Sequence, residues 1–349
     1  MIRKILYLLV AAACIAAPVE FFARQRFPEL ADRRQFAELS FIRLLNSGVV
    51  YRPGSNYDER FGFLNNPHIR ETVRTDEYRY TVATNSLGFR THEITPKPPG
   101  QRRLMLLGDS MFFGVGVDYP ATVPGLLETA RDSLQVYNFA MLGHNTVQSR
   151  IAARAFADQV GPDHIVCGVF IGNDLLTNAL NYPDENNHIA THLDQVAASR
   201  KRLAAALAPF TWSTALRVAA YSVYIPRLRY HWAAAPDIIA ATCDHLAAIA
   251  NTATTVGSTF ATVLIYPKDA VAGGPVEIWS QSRRPGRRLA ETCRTRNIEI
   301  IDLLDHIEGP ADRNRYYYAQ DGHLNAAGNQ LIANLIAKHY LPPPATTQR

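Results

Sequence analysis

Arg103-Leu104-Met105-Leu106-Leu107 runs straight into Gly108-Asp109-Ser110, an apolar run of strand length followed at once by a turn glycine, an acid and a hydroxyl. A continuous apolar run, rather than an alternating one, belongs to a strand buried on both faces. Four further runs share this character: Gln135 to Phe139, His164 to Phe170, Thr259 to Tyr266 and Ile298 to Leu303. Helix candidates separate them, among them Val123 to Ala130, Asp237 to Thr252 and Arg287 to Thr295. Asn325 caps a final helix whose Leu331, Ile332, Leu335 and Ile336 form one stripe. The alternation predicts an α/β domain, a flavodoxin-like three-layer sandwich around a five-stranded parallel sheet in the order 2-1-3-4-5.

In such a sheet, ligands bind beyond the carboxyl ends of the strands where the strand order reverses, here between the first and third strands. Ser110 follows the first strand, Gly143 the second, and Asn173 of Gly172-Asn173-Asp174 the third. These are the parts that attack on an ester requires. Ser110 supplies a nucleophile, and the backbone N–H groups of Ser110 and Gly143 with the Asn173 side-chain amide supply donors for an oxyanion. Asp321-Gly322-His323 supplies a base, His323, and a carboxylate to orient it, Asp321. The connection from Leu304 to Gln320 is long enough to bring that pair back over the crevice. Asp109 and Asp174 are expected to stabilise their own turns. His144 reads as a surface histidine, with substrate contact as its functional alternative. The blander reading of each motif is a turn or a cap, which explains Asn325 but not the neighbouring Asp321 and His323.

The three blocks, in this order and with an apolar run before each of the first two, resemble the SGNH (GDSL) hydrolase superfamily over about residues 101 to 341. The usual spacing in that superfamily places two residues between Asp and His. Here only Gly322 intervenes, as in branches that act on polysaccharide acyl groups. The resemblance implies serine esterase chemistry without cofactor or metal. Asn85-Ser86-Leu87-Gly88-Phe89-Arg90 resembles a segment upstream of the catalytic block in membrane-anchored, envelope-type members; a turn with left-handed Gly88 accounts for the same residues. The expected function is hydrolysis of O-acyl esters of carbohydrate or lipid in the cell envelope, through an acyl-enzyme. The expected substrate is a small-molecule or glycan acyl ester. Two alternatives use the same sequence: an O-acyltransferase that modifies an envelope glycan, and a non-catalytic glycan-binding or scaffold protein.

Composition narrows the partners. The net charge of +5 is spread along the chain, with no basic run interleaved with aromatics, which argues against nucleic acid. The four cysteines lack metal-ligand spacing. Cys167 sits in an apolar strand, whereas Cys243 and Cys293 fall in helices of one domain and could join in a disulfide outside the cytoplasm. At the amino terminus, Arg3 and Lys4 precede an uncharged run from Ile5 to Val19. That run covers about 22 Å of a hydrocarbon layer about 30 Å thick, so it spans only by continuing through Glu20 to Ala23. Residues 1–25 therefore read as a signal anchor, a single transmembrane helix in a bacterial-type inner membrane that leaves the catalytic domain outside the cytoplasm. A cleaved signal, releasing a secreted protein, or a lipid anchor at Cys14 are the alternatives. Residues 26–100 read as a small N-terminal extension with a strand near Tyr78 to Val82 and a linker at Pro96 to Gly100. Residues 101–341 read as the catalytic domain, and 342–349 as a tail. A helical insertion over about 177–236 carries Phe210, Trp212, Tyr221, Tyr224, Tyr230 and Trp232. It is expected either to cover the site and lie on the membrane or to pack its rings inward.

Overall fold

The computed structural model describes residues 16–45, 55–131, 133–307 and 315–340. The five apolar runs form one parallel sheet from β1 (Arg102–Leu107), β2 (Leu134–Asn138), β3 (His164–Phe170), β4 (Thr259–Ile265) and β5 (Glu299–Asp302), in the order β2-β1-β3-β4-β5. Leu104, Leu106, Val136, Val166, Val169, Val263 and Leu264 are fully buried, as strands covered on both faces require. The strand order fixes where the helices lie. A right-handed crossover from β1 to β2 runs in the opposite direction to those from β2 to β3, β3 to β4 and β4 to β5, so the two sets of helices occupy opposite faces. Accordingly α1 (Val123–Ala130) packs on the closing α5 (Ala326–Tyr340), while α2 (Thr146–Val160), α3 (Pro236–Thr255) and α4 (Arg284–Arg294) pack in series. Cys243 of α3 and Cys293 of α4 are joined by a disulfide with Cα atoms 5.7 Å apart, closing a separation of 50 residues. In the chain-entropy account a loop of this length is worth about 4 kcal/mol. Cys167 is a buried free thiol whose titration burial pushes far up.

Contacts divide the chain into two units. The larger comprises the sheet domain together with the described residues of 55–100, the segment read from the sequence as an extension and linker. Its hairpin Arg70–Arg74/Arg79–Ala83 places Tyr80 and Val82 in an apolar cluster with Phe113, Val115 and Met141. Phe61, Phe89, Phe139 and Phe156 form a cluster of edge-to-face and stacked ring contacts with centroids 4.9 to 6.4 Å apart. Gly88 does adopt the left-handed conformation, with φ +82, and a Cβ there would meet the Asn65 carbonyl oxygen at 2.1 Å. Asn85 closes the same turn by accepting the N–H groups of Leu87 and Phe89 on Oδ1, both at 3.0 Å.

The smaller unit combines the described part of 1–48 with His192–Arg229. Arg217 holds it together, donating to the carbonyls of Leu30 at 2.6 Å, Thr211 at 2.8 Å and Ala31 at 2.9 Å. The expected aromatic tract is split by this division. Tyr230 and Trp232 are buried in the larger unit, whereas Trp212 of the smaller is 82% exposed. Most of the expected membrane span lies outside the described residues. Residues 16–26 are helical, and among the described residues no single helix is long and apolar enough to cross a membrane.

Candidate active site

Ser110 begins a four-residue helix directly after β1. Asp109 caps that helix by accepting the Met111 N–H at 3.0 Å. Ser110 therefore stands at the carboxyl edge of the sheet, next to β3, with which β1 pairs through Leu107 and Cys167. From the other end of the chain, the Tyr317–Leu324 bridge and the hydrogen bond from Tyr318 N to His323 O fold residues 317–324 into a tight loop. That loop brings His323 Nε2 to 2.9 Å from Ser110 Oγ, and His323 Nδ1 to 2.6 Å from Asp321 Oδ1. The same carboxylate oxygen accepts the His323 backbone N–H at 2.9 Å, a short-range bond that a single intervening glycine permits. Hydroxyl, imidazole and carboxylate, from positions 110, 323 and 321, thus form one continuous hydrogen-bonded line.

Residues that the sequence reading passed over hold this line. Tyr78 donates its hydroxyl to Asp321 Oδ2 at 2.6 Å, so both carboxylate oxygens are engaged. Glu77 accepts the backbone N–H groups of Gln320 at 2.8 Å and Asp321 at 2.6 Å. Lys268, just after β4, donates to the carbonyls of Tyr318 at 2.9 Å and Ala319 at 2.6 Å. Burial pushes the Asp321 carboxyl up, but the hydrogen bonds from His323 and Tyr78 and the nearby imidazole charge outweigh it and hold it well below the usual carboxylate range. Burial, with the Asp321 carboxylate, drives the Tyr78 hydroxyl the other way, far above its ordinary value, so it stays a donor. Arg90 anchors the nucleophile side. It is 1% exposed and donates to the carbonyls of Thr81, Phe113, Gly114 and Val117 at 2.8 to 3.0 Å. Burial lowers its pKa only to about 10, so the guanidinium stays charged at neutral pH.

The donors expected for an oxyanion sit on neighbouring strand ends. Gly143 lies in the loop after β2 in a left-handed conformation, with φ +68. Asn145 ends that loop as part of a capping box on α2. Asn178, one turn beyond Asn173, accepts the Thr146 N–H at 2.9 Å and so ties the segment after β3 to the start of α2. Among the described residues neither the Ser110 nor the Gly143 backbone N–H has a protein acceptor. His144 is not a surface residue. It is 2% exposed, lies against Phe61 and Phe63, and has Nε2 3.0 Å from the Phe63 carbonyl oxygen, where it clamps the Gly143 loop. The surface expectation failed because the partner segment, residues 61–63, lies about eighty positions upstream. Asp109 and Asp174 are both fully enclosed. Burial raises both carboxyls above the usual range, and for Asp174 the nearby Asp109 charge adds to it. Asp174 Oδ2 accepts the Phe170 N–H at 2.9 Å, as a turn-stabilising residue should. No group of residues able to hold a metal ion is found among the described residues.

This arrangement can move the Ser110 proton to an imidazole whose other nitrogen is already committed to a carboxylate. The sequence matches the GDSL-like lipase/acylhydrolase family over residues 106–331, more than half of its length, and the chain belongs to that family. Among solved structures it is similar to the lipase Lip_vut3 from a goat rumen metagenome, at 14% identity over 68% of this chain and 97% of that one, with a TM-score of 0.42. It is also similar to the lipase/acylhydrolase from Enterococcus faecalis, at 13% identity over 68% and 94% with a TM-score of 0.41. The psychrotrophic esterase EstA from Pseudoalteromonas sp. gives 13% identity over 68% and 96%, with a TM-score of 0.38. No curated protein sequence matches the chain.

Proposed function

We propose that this ester hydrolase works in the cell envelope, removing O-acyl groups from a carbohydrate or lipid through an acyl-enzyme on Ser110. The observation that carries the reading is the Ser110–His323–Asp321 line at 2.9 and 2.6 Å. His323 Nε2 takes the Ser110 proton as Oγ bonds to the acyl carbon. The oxyanion that forms meets the Ser110 and Gly143 N–H groups and the Asn173 amide. Collapse breaks the ester bond, and His323 returns the proton to the leaving alkoxide. Water, deprotonated by the same imidazole, then attacks the acyl-enzyme, and Ser110 leaves with the proton. Asp321 keeps Nδ1 protonated and offsets the imidazolium charge.

Placement in the envelope is supported by the basic start and uncharged run at the amino terminus and by the Cys243–Cys293 disulfide, a bond that persists in oxidising compartments. An acyl ester of an envelope glycan or lipid suits such a location. Labelling with a fluorophosphonate probe tests the nucleophile. Wild type is expected to label and to release nitrophenol from short-chain nitrophenyl esters. Ser110→Ala is expected to do neither, losing roughly four to six orders of magnitude in turnover at unchanged melting temperature. Labelling that survives in Ser110→Ala rejects the assignment.

A further inference from the structure

We propose that the smaller unit rests on a lipid bilayer, with the rings of Phe21, Phe22 and Trp212 seated among the headgroups. The inference rests on the reading of the amino terminus as a membrane anchor and specifies which surface meets the lipid. Phe21 and Phe22, on the helix formed by residues 16–26, are 67% and 66% exposed, and Trp212 is 82% exposed. Exposure alone would not link the helix of residues 16–26 to the turn at Trp212, but Glu20 does. Its carboxylate accepts the backbone N–H groups of Thr214 and Ala215, both at 3.0 Å, and also pairs with Arg24 at 2.8 Å. The residue before Phe21 is thereby bonded to the turn that carries Trp212. Arg217 secures that turn in place through the carbonyls of Thr211, Leu30 and Ala31. The exposed rings are therefore held on one clasped pair of elements within the smaller unit, not on two independent arms.

Three observations point to lipid as the occupant. The uncharged run Ile5 to Val19 ends immediately before the clasp, so a chain anchored by that run delivers Phe21 and Phe22 to the membrane boundary. Tryptophan and phenylalanine side chains favour that boundary, where an apolar ring meets a wet edge. Arg24, Arg26, Arg33 and Arg34 follow within four turns of chain and are all exposed; with exposed Glu29 and Asp32 between them, this flank keeps a net positive charge suited to anionic headgroups. Glu20 is the one acidic group within the apolar stretch. Its carboxylate is met by the Arg24 guanidinium and the Thr214 and Ala215 N–H groups.

The full chain reconstituted into vesicles of phosphatidylcholine and phosphatidylglycerol tests this. Phosphatidylcholine brominated high on its acyl chains serves as a quencher of tryptophan fluorescence. The chain has three tryptophans, so the Trp212 component is read as the difference between wild type and Trp212→Phe. That component is expected to be quenched by bromolipid and shielded from acrylamide. Glu20→Gln is expected to lose most of the bromolipid quenching while the chain still floats with the vesicles. Hydrolysis of a soluble nitrophenyl ester should be unchanged in both variants. A chain that floats, but whose Trp212 component is quenched by acrylamide and not by bromolipid, overturns the docking surface and leaves the anchor standing. A chain that does not float overturns both. Acrylamide protection of Trp212 that persists in lipid-free detergent and falls on dilution identifies a second copy as the occupant instead, which also overturns the proposal.

Discussion

Ser110 owes its place to its immediate neighbours, Asp109 before it and Met111 after it, at the end of a buried strand. Asp321 owes its place to Glu77 and Tyr78, which stand 244 and 243 residues upstream. One half of the site is set by local turn chemistry on a rigid sheet. The other is a loop, anchored at long range by a hairpin that lies outside the family-matched residues. A nucleophile needs one fixed position, which a strand end provides. An acid–base pair must hold orientation and charge at once, so it draws on partners from several directions.

The contrast can be broken most forcefully at Arg90, where the segment following the hairpin also holds the nucleophile side. Arg90→Met strands four carbonyl groups in the interior and is expected to cost about 3 to 5 kcal/mol of stability, measured by urea denaturation. A loss under about 1 kcal/mol would mean that the nucleophile turn stands on its local caps alone. Next in size, Asn173→Ala removes the oxyanion donor proposed above and is expected to lower kcat by about 10²- to 10³-fold, with KM nearly constant. An effect confined to KM would make Asn173 a binding residue. Tyr78→Phe frees one oxygen of Asp321. The loss of one hydrogen bond to a charged group, about 1.5 kcal/mol, translates into roughly a tenfold fall in kcat at constant KM. An unchanged kcat would show that Glu77, Lys268 and the loop's own bonds set Asp321 without Tyr78.

The smallest effect concerns pH. Asp109 and Asp174 hold protons more tightly in the folded protein than in the unfolded chain. Stability therefore falls as pH rises from about 4, the ordinary carboxylate value, through their raised values, and then levels off. Asp174→Asn removes one of the two groups and is expected to flatten this fall. Melting temperatures followed from pH 4 to pH 8 check it, and a slope as steep as wild type would assign the fall to other groups.

The sheet and its order were legible because each strand is a short, continuous apolar run, and such runs declare themselves locally. The Ser110 and His323 blocks, which the structure brings together, were legible for the same reason, since each is a compact motif at the end of an element. Tyr78 and Glu77 left no comparable trace. Tyr78 reads as a strand residue and nothing in the sequence singles out Glu77, and their roles exist only once residues 317–324 fold back beside them. Arg90 lay in a stretch that was singled out, yet a buried guanidinium serving four carbonyls cannot be told from an exposed one by spacing. His144 was misplaced because nothing near it in sequence reveals Phe61 and Phe63.

Arg90 also bears on where this enzyme begins as a transplantable part. The apolar cluster beneath the nucleophile turn takes two of its members, Tyr80 and Val82, from the hairpin, and the turn's last carbonyls are served by a side chain at position 90. A graft cut at the edge of the family-matched region would carry the reactive groups without the scaffolding that aims them. The smallest portable piece of this hydrolase therefore includes the hairpin that begins at Arg70, well before the Gly108-Asp109-Ser110 turn.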